Sequence, residues 1–325
     1  MNTAGRLSLY GAGLAAAFAV AFGVAALVAP RDAAAQSTQH EQGTQQEEKS
    51  MNGHDAHGSA PQTGADQGAQ AAASTAGVSL AAGGYTLDPV SAPAAVGEQG
   101  TLSFRILDSS GTPLTAYAPQ HEKDLHLIVV RSDGAQFRHV HPVLDAATGT
   151  WSIPWSWSAA GSYRVFADFA ALREPQGTEA DPITLSRTVE VAGSFAPVVP
   201  ATSTRTSVDG FDVSIAGDLV AGSGSELTVT VRRDGEPVTT LQPYLGAFGH
   251  LVALREGDLA YLHVHPEGAA PTGPDATSGP EVRFGAHVPT AGRYLLYFDF
   301  LASGSVHTAA FVLDAHGAET ATHQH

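Results

Sequence analysis

Residues 125–142 read Leu-His-Leu-Ile-Val-Val-Arg-Ser-Asp-Gly-Ala-Gln-Phe-Arg-His-Val-His-Pro. The stretch begins with a short apolar run rich in β-branched residues, which is typical of a β-strand. Asp133-Gly134 follows, and this dipeptide is a strong signal for a two-residue hairpin turn. The stretch after the turn ends at Pro142 and predicts a second strand. Together these features predict an antiparallel hairpin in an all-β domain.

The turn determines which residues of the hairpin face each other. Pairing residue 132 with residue 135 places His126 opposite His141, with Cβ atoms about 4.5–5.5 Å apart. His139 lies two residues from His141 and therefore on the same face of the strand. The hairpin thus predicts that His126, His139 and His141 converge at its open end.

The same pattern returns 124 residues later. Residues 113–142 and 237–266 align without gaps, and ten of the 30 positions are identical, which indicates an internal duplication. Gly257-Asp258 supplies the turn of the second copy and pairs residue 250 with residue 265. A second cluster, formed by His250, His263 and His265, is therefore predicted in the second repeat.

Each repeat shows short apolar stretches about every ten residues, separated by Gly, Pro, Asp and Ser, without long helical periodicity. Tyr163 and Tyr294 each open an alternating strand just after a glycine, at a position that resembles the tyrosine corner of immunoglobulin-like sandwiches. We therefore predict two tandem immunoglobulin-like β-sandwich repeats, at residues 78–192 and 200–315.

The N-terminal residues 1–35 predict a membrane anchor or a signal peptide. The apolar run from Leu7 to Ala29 is long enough to span a membrane as a helix, whereas Ala33-Ala34-Ala35 resembles a signal-peptide cleavage site. Either alternative places the repeats outside the cytoplasm. In the first case the chain is a single-pass protein of the cell membrane with its C-terminal domains outside. In the second case it is secreted after cleavage following Ala35.

Two further segments have a composition that does not favour a packed core. Residues 36–77 are rich in Gln, Ala, Gly, Ser and His, and they predict a disordered stalk. Residues 316–325 predict a flexible tail that also contains histidine. These histidines could raise the local metal concentration or simply belong to polar spacers.

The overall composition excludes several classes of function. The 325-residue chain carries a formal net charge of −16, 15 His, two Met and no Cys. The lack of cysteine removes disulfides, thiolate metal sites and Cys nucleophiles. The acidic balance argues against a nucleic-acid partner. We find no credible Ser-His-Asp set, phosphate loop or paired carboxylates, so we do not expect an enzyme.

Three imidazoles are a suitable set of ligands for Cu²⁺ or Zn²⁺. A further ligand, or an acceptor that orients a histidine, could come from His121, Asp124, Asp168 or Asp299. We therefore expect a non-catalytic protein that binds Cu²⁺ or Zn²⁺. The alternative is a structural or protein-interaction module of immunoglobulin-like fold whose histidines are packing residues.

The segment Asp124–Arg131 followed by His139-Val140-His141-Pro142 resembles exported bacterial proteins found with heavy-metal and copper-handling systems. Gly161–Phe169 is similar to small immunoglobulin-like sandwiches of the YtkA type and of copper-resistance carriers. Leu241–His250 and Tyr261–Pro266 resemble membrane-anchored actinobacterial proteins. The resemblance implies metal buffering, delivery or resistance, with a protein partner that the sequence does not identify. The better-known carriers use an N-terminal His or Met-rich loops, and this chain has neither.

Overall fold

The computed structural model describes residues 77–172, 180–262 and 264–317, and in these ranges the chain forms only strands, turns and loops. All described residues belong to one compact unit. Within this part of the chain, no helix is long and apolar enough to cross a membrane. The predicted anchor or signal segment, nearly all of the predicted stalk and most of the predicted tail lie outside the described residues.

The first repeat is a sandwich of two mainly antiparallel sheets. One sheet has the strand order β1-β2-β3-β8-β7, and the other has the order β10-β9-β5-β6, with β4 added beside β9. The strands are β1 (Ala81–Ala82), β2 (Tyr85–Leu87), β3 (Gly100–Leu107), β4 (Tyr117–Ala118), β5 (Leu125–Arg131), β6 (Arg138–Val140), β7 (Val143–Asp145), β8 (Thr150–Trp155), β9 (Gly161–Leu172) and β10 (Ala180–Val191).

The second repeat has the same architecture. Its sheets have the orders β11-β12-β14-β19-β18, with β15 added beside β14, and β13-β21-β20-β16-β17. The strands are β11 (Arg205–Val208), β12 (Phe211–Ala216), β13 (Leu219–Val220), β14 (Gly224–Arg233), β15 (Glu236–Pro237), β16 (His250–Arg255), β17 (Tyr261–Leu262), β18 (Val264–Glu267), β19 (Glu281–His287), β20 (Gly292–Ala302) and β21 (Ser305–His316). The prediction of an all-β chain with two repeated sandwiches is confirmed.

A tyrosine corner fixes the same point in both sandwiches. The Tyr163 hydroxyl donates to the Ala159 carbonyl at 2.8 Å, and the Tyr294 hydroxyl donates to the Thr290 carbonyl at 2.8 Å. In each case the acceptor lies four residues upstream of the tyrosine, which is the arrangement expected of an immunoglobulin-like fold. The glycine-tyrosine elements of the sequence therefore mark equivalent strands, β9 and β20.

Strands β5 and β16 are buried on both faces, which explains their nearly continuous apolar sequence. Alternate residues of β5, such as Leu127 and Val129, point into the core of the first sandwich. The intervening residues, Ile128 and Val130, belong to a separate apolar cluster. A strand has a period of two, so His126 faces the same side as Ile128.

The separate cluster joins the two repeats. Its buried members come from both sandwiches: Ile128, Val130, Phe166, Val252, Leu254, Leu259, Leu295 and Tyr297. At its edge, the rings of Phe137 and Tyr297 stack with centroids 3.9 Å apart, and Phe166 contacts Tyr261 with centroids 5.7 Å apart. The histidine-bearing sheets of the two repeats therefore pack face to face.

Candidate metal centre

The hairpin register is the one predicted from the sequence, although the turn differs. Strands β5 and β6 pair Leu127 with Val140 and Ile128 with His139. The Gly134 amide donates to the Arg131 carbonyl at 2.8 Å, so the loop is longer than a two-residue turn. Gln136 has a φ of 57°, as expected where an extra residue is accommodated on one strand. The bulge restores the register before the histidines are reached.

His126, His139 and His141 form a compact group. Their candidate ligand nitrogens all lie within 4.8 Å of one another. His126 Nδ1 lies 2.9 Å from His139 Nε2 and 3.2 Å from His141 Nε2. The three ring-centroid distances are nearly equal, at 5.2, 5.0 and 5.1 Å. The three rings therefore lie near the corners of an equilateral triangle, and we call the group the three-histidine cluster.

The outer hydrogen bonds of the cluster determine which nitrogens face inward with lone pairs. The Gln120 carbonyl can only accept, so His126 donates to it through Nε2, at 3.0 Å. The Asp299 carboxylate accepts from Nδ1 of His139 at 2.8 Å. In neutral rings, His126 Nδ1 and His139 Nε2 are then both acceptors. Two such nitrogens 2.9 Å apart can be bridged by a proton or by a metal ion.

Burial disfavours a proton on two of the three rings, His126 and His141. Burial and, to a lesser degree, the neighbouring His139 lower the pKa of His126 to about 3. Burial and His139 also lower the pKa of His141 to about 3. Neutral imidazoles are the form in which histidine binds metals. At neutral pH the cluster is therefore suited to a metal ion.

One hydrogen-bond partner of the cluster, the candidate acceptor Asp299, comes from the other repeat, and the sequence did not predict this contact across the repeats. Asp299 is 2% exposed and lies in β20. Its second carboxylate oxygen accepts from Thr308 Oγ1 at 2.5 Å. A carboxylate that holds the outer nitrogen of a ligating histidine fixes the tautomer and raises the basicity of the ligand. The two repeats therefore contribute to this cluster together, through the contact between His139 and Asp299.

His250 lies beside the cluster as the counterpart of His126. Its Nε2 is 3.1 Å from the carbonyls of both Tyr244 and Leu245. Its ring centroid is 6.5 Å from those of His126 and His139. Burial and nearby His121 lower the pKa of His250 to about 4. Its hydrogen bonds leave Nδ1 as the acceptor nitrogen.

A matching turn positions the carbonyl acceptor in each repeat. Gln120 and Lys123 exchange two backbone hydrogen bonds, at 2.8 and 3.0 Å, around His121 and Glu122. His121 and Glu122 have φ values of 46° and 65°, which is the backbone of a type I′ turn. Non-glycine residues seldom adopt this conformation. The sequence therefore contains little signal for this turn.

The equivalent turn of the second repeat has Leu245 and Gly246 at its centre, with φ values of 56° and 76°. Tyr244 and Ala247 close it with hydrogen bonds of 2.8 and 3.2 Å. Because the offset is 124 residues, Tyr244 corresponds to Gln120 and Leu245 corresponds to His121. The ring of His121 lies 5.0 Å from that of His250, so the first repeat adds a histidine where the second has leucine.

Two members of the second predicted cluster, His250 and His265, lie within the described residues, on strands of different sheets. Strands β16 and β17 have the predicted register, with Ala253 opposite Leu262, but β17 ends at Leu262. The chain then pairs with the opposite sheet, where His265 lies opposite Gly285 and is exposed. His265 thus pairs with Gly285 rather than with His250, contrary to the predicted register. His263 lies outside the described residues.

The two remaining candidates occupy different environments. Asp124 is exposed, just before β5. Asp168 is buried in β9 at the position equivalent to Asp299, and its carboxylate accepts from Thr184 Oγ1 at 2.8 Å and from the Tyr261 hydroxyl at 3.4 Å. Asp168 and Asp299 thus each contact a side chain of the opposite repeat, Tyr261 in one case and His139 in the other.

Solved structures similar to the chain include the Lin-41 filamin domain, with 14% identity, a TM-score of 0.22 and coverage of 32% of this chain and 91% of the other. The fibronectin(III)-like modules of Clostridium thermocellum CbhA have 10% identity, a TM-score of 0.18 and coverage of 74% and 99%. Salmonella alpha-2-macroglobulin has 17% identity and a TM-score of 0.23, and the match covers 71% of this chain but 15% of that protein. These similarities support no functional conclusion.

No curated protein matches the chain significantly. A family model described as "Domain of unknown function (DUF8832)" matches it twice, at residues 80–182 and 206–317. The two matches cover both sandwiches and more than half of the chain. The protein therefore belongs to the DUF8832 family.

Proposed function

We propose that this protein is a non-catalytic metal-binding protein that holds one Cu²⁺ or Zn²⁺ ion in the three-histidine cluster, outside the cytoplasm. The observation that carries the proposal is the convergence of His126 Nδ1, His139 Nε2 and His141 Nε2, with the first two 2.9 Å apart. Two of these nitrogens are held as acceptors by hydrogen bonds on the far side of their rings.

The spacing fits the coordination of either metal. Ligand nitrogens lie about 2.0–2.1 Å from Zn²⁺, so two nitrogens in a tetrahedral site are about 3.3 Å apart. His126 Nδ1 is 2.9 and 3.2 Å from its two neighbours. A small expansion of the cluster therefore accommodates the ion. Imidazole suits both Zn²⁺ and Cu²⁺, and three protein ligands leave a position open for an exchangeable ligand, as a buffer or carrier needs.

The competing function is that of a structural module in which the histidines fasten the two repeats together. The contact that favours it is the His139–Asp299 pair, which joins β6 of one repeat to β20 of the other. In that case the protein binds no stoichiometric metal, and removal of the pair affects only stability.

Metal stoichiometry distinguishes the two functions. The full-length chain is used with the six histidines of the stalk and C-terminal segment replaced by glutamine (the His-to-Gln background), namely His40, His54, His57, His316, His323 and His325. We expect one tightly bound Cu²⁺ or Zn²⁺ per chain by dialysis against the metal alone, followed by elemental analysis. The His141→Ala variant should lose it.

His265→Ala is the matched control. His265 is the counterpart of His141 in the duplication, but it lies exposed on β18. This variant should therefore retain the metal. Absence of stoichiometric metal from the background protein, or equal retention by both variants, would overturn the proposed function.

A further inference from the structure

A pair of histidines connects the three-histidine cluster to an open cavity. His250 is buried, with 8% of its surface exposed, and its ring is 6.5 Å from that of His126. His121 is exposed and lies 5.0 Å from His250 and 6.0 Å from His126. The two side chains therefore lead stepwise from the buried cluster towards the surface.

The spacing of this pair matches the spacing within the cluster. The rings of His121 and His250 are 5.0 Å apart and nearly perpendicular, at 79°, and the rings of His126 and His141 are 5.0 Å apart at 81°. Because His250 uses Nε2 for its backbone hydrogen bonds, Nδ1 is its candidate ligand atom. Two imidazoles at this separation can share one ion, with water completing the coordination.

His121 also lines a cavity of about 530 Å³ that is otherwise built mainly from the second repeat, including Phe248, Pro266, Glu267 and Arg283. A turn with two consecutive non-glycine residues at positive φ places His121 at this boundary. Unusual backbone of this kind is concentrated at functional sites. The equivalent turn of the second repeat has Leu245 instead, so the duplication itself does not require a histidine here.

From this geometry we infer that His121 and His250 form a second, weaker metal station, through which the ion passes between the cavity and the three-histidine cluster. The inference rests on the proposed function, because the station serves the same ion. It adds a path for loading and release, so the protein exchanges its metal with the surroundings through one defined opening. Zn²⁺ and Cu²⁺ do not change oxidation state in this transfer, and water replaces each departing ligand.

The test compares His121→Asn with the parent protein in the His-to-Gln background. Asparagine tolerates the left-handed backbone of the turn better than most residues, and circular dichroism verifies the fold. Cu²⁺ alone is titrated into the protein, and the loaded protein is then mixed with excess EDTA to measure transfer. We expect the first equivalent to bind as in the parent, the second to bind at least about tenfold more weakly, and transfer to EDTA to slow severalfold.

His287→Asn is the matched control, because His287 is an exposed histidine on β19. It should leave both equivalents and the transfer rate unchanged. If the second equivalent and the transfer rate are unaltered by His121→Asn, or if His287→Asn has the same effect, the second station is refuted while the proposed function stands. Loss of the first equivalent in His121→Asn also refutes it, since His121 would then belong to the primary site. If the parent binds no first equivalent, the proposed function itself fails and the station fails with it.

Discussion

Replacement of Asp299 by asparagine isolates the contribution of the second repeat to the metal site. Asp299 is 2% exposed, and its carboxylate is 2.8 Å from Nδ1 of His139. Asparagine keeps the shape of the side chain, and its amide oxygen can still accept from His139. What it removes is the negative charge that makes His139 a stronger ligand and sustains the proton on its outer nitrogen.

The expected loss follows from this single contact. Changing a group that orients a ligating histidine usually weakens metal binding by about 10–100-fold, which corresponds to about 1.4–2.7 kcal/mol. Asp299 orients one of three ligands, and the other two remain unchanged. We therefore expect Asp299→Asn to bind one ion per chain still, with an affinity reduced by an amount in this range.

The assay is a competition titration of Zn²⁺ against a chelator of known affinity, at neutral pH and in the His-to-Gln background. Asp168→Asn is the matched control, because Asp168 occupies the equivalent position in β9 and accepts from Thr184 and Tyr261. It should bind Zn²⁺ as the parent does. Equal affinities for Asp299→Asn and the parent, or an equal loss in both variants, would refute the reasoning.

Three further predictions concern stability. Burial lowers the pKa of His126 and of His141 from 6.5 to about 3. Between these pH values the unfolded chain therefore binds more protons than the folded chain. In the presence of chelator, the free energy of unfolding should be highest above about pH 6.5 and should fall as the pH decreases towards 4. Urea titrations at several pH values measure it, and a stability that rises with acid would contradict the assignment of neutral rings. Tyr294→Phe removes the hydrogen bond to Thr290 and should lower the free energy of unfolding, measured in urea, by about 1 kcal/mol. An unchanged free energy of unfolding would show that the tyrosine corner does not stabilise the fold. Tyr297→Ala removes a ring from the contact between the repeats and should cost about 3–5 kcal/mol; a calorimetric transition like that of the parent would show that this contact contributes little.

Local sequence patterns predicted those elements whose pairing is set by residues close together in the chain, above all the β5–β6 hairpin. The alternation and turn signals around Asp133-Gly134 were sufficient for the β5–β6 register, because a hairpin is a short-range structure. The register brought His126, His139 and His141 together as predicted. The extra residue in the loop did not disturb it, since a bulge at Gln136 compensates for the longer turn.

The parts that the sequence did not reveal depend on contacts between the repeats. Nothing local pairs His139 with Asp299, which lies 160 residues away. The apolar residues Ile128 and Val130 on the histidine face indicate a second packing surface, but they do not identify what packs there. His265 does not pair with His250 as predicted, because β18 pairs with β19 and so belongs to the opposite sheet. Within the described ranges, the group of three histidines is found in the first repeat.

X-ray absorption spectroscopy of the protein loaded with one equivalent of Zn²⁺ reports which side chains bind the ion. In the His-to-Gln background, the account predicts an imidazole shell with three nitrogens at about 2.0–2.1 Å from the metal. His141→Ala, which loses the tight site, should show no three-imidazole shell under the same loading, while His265→Ala should retain it. A spectrum without an imidazole shell, or one that is identical in the parent and the His141→Ala variant, would contradict the account.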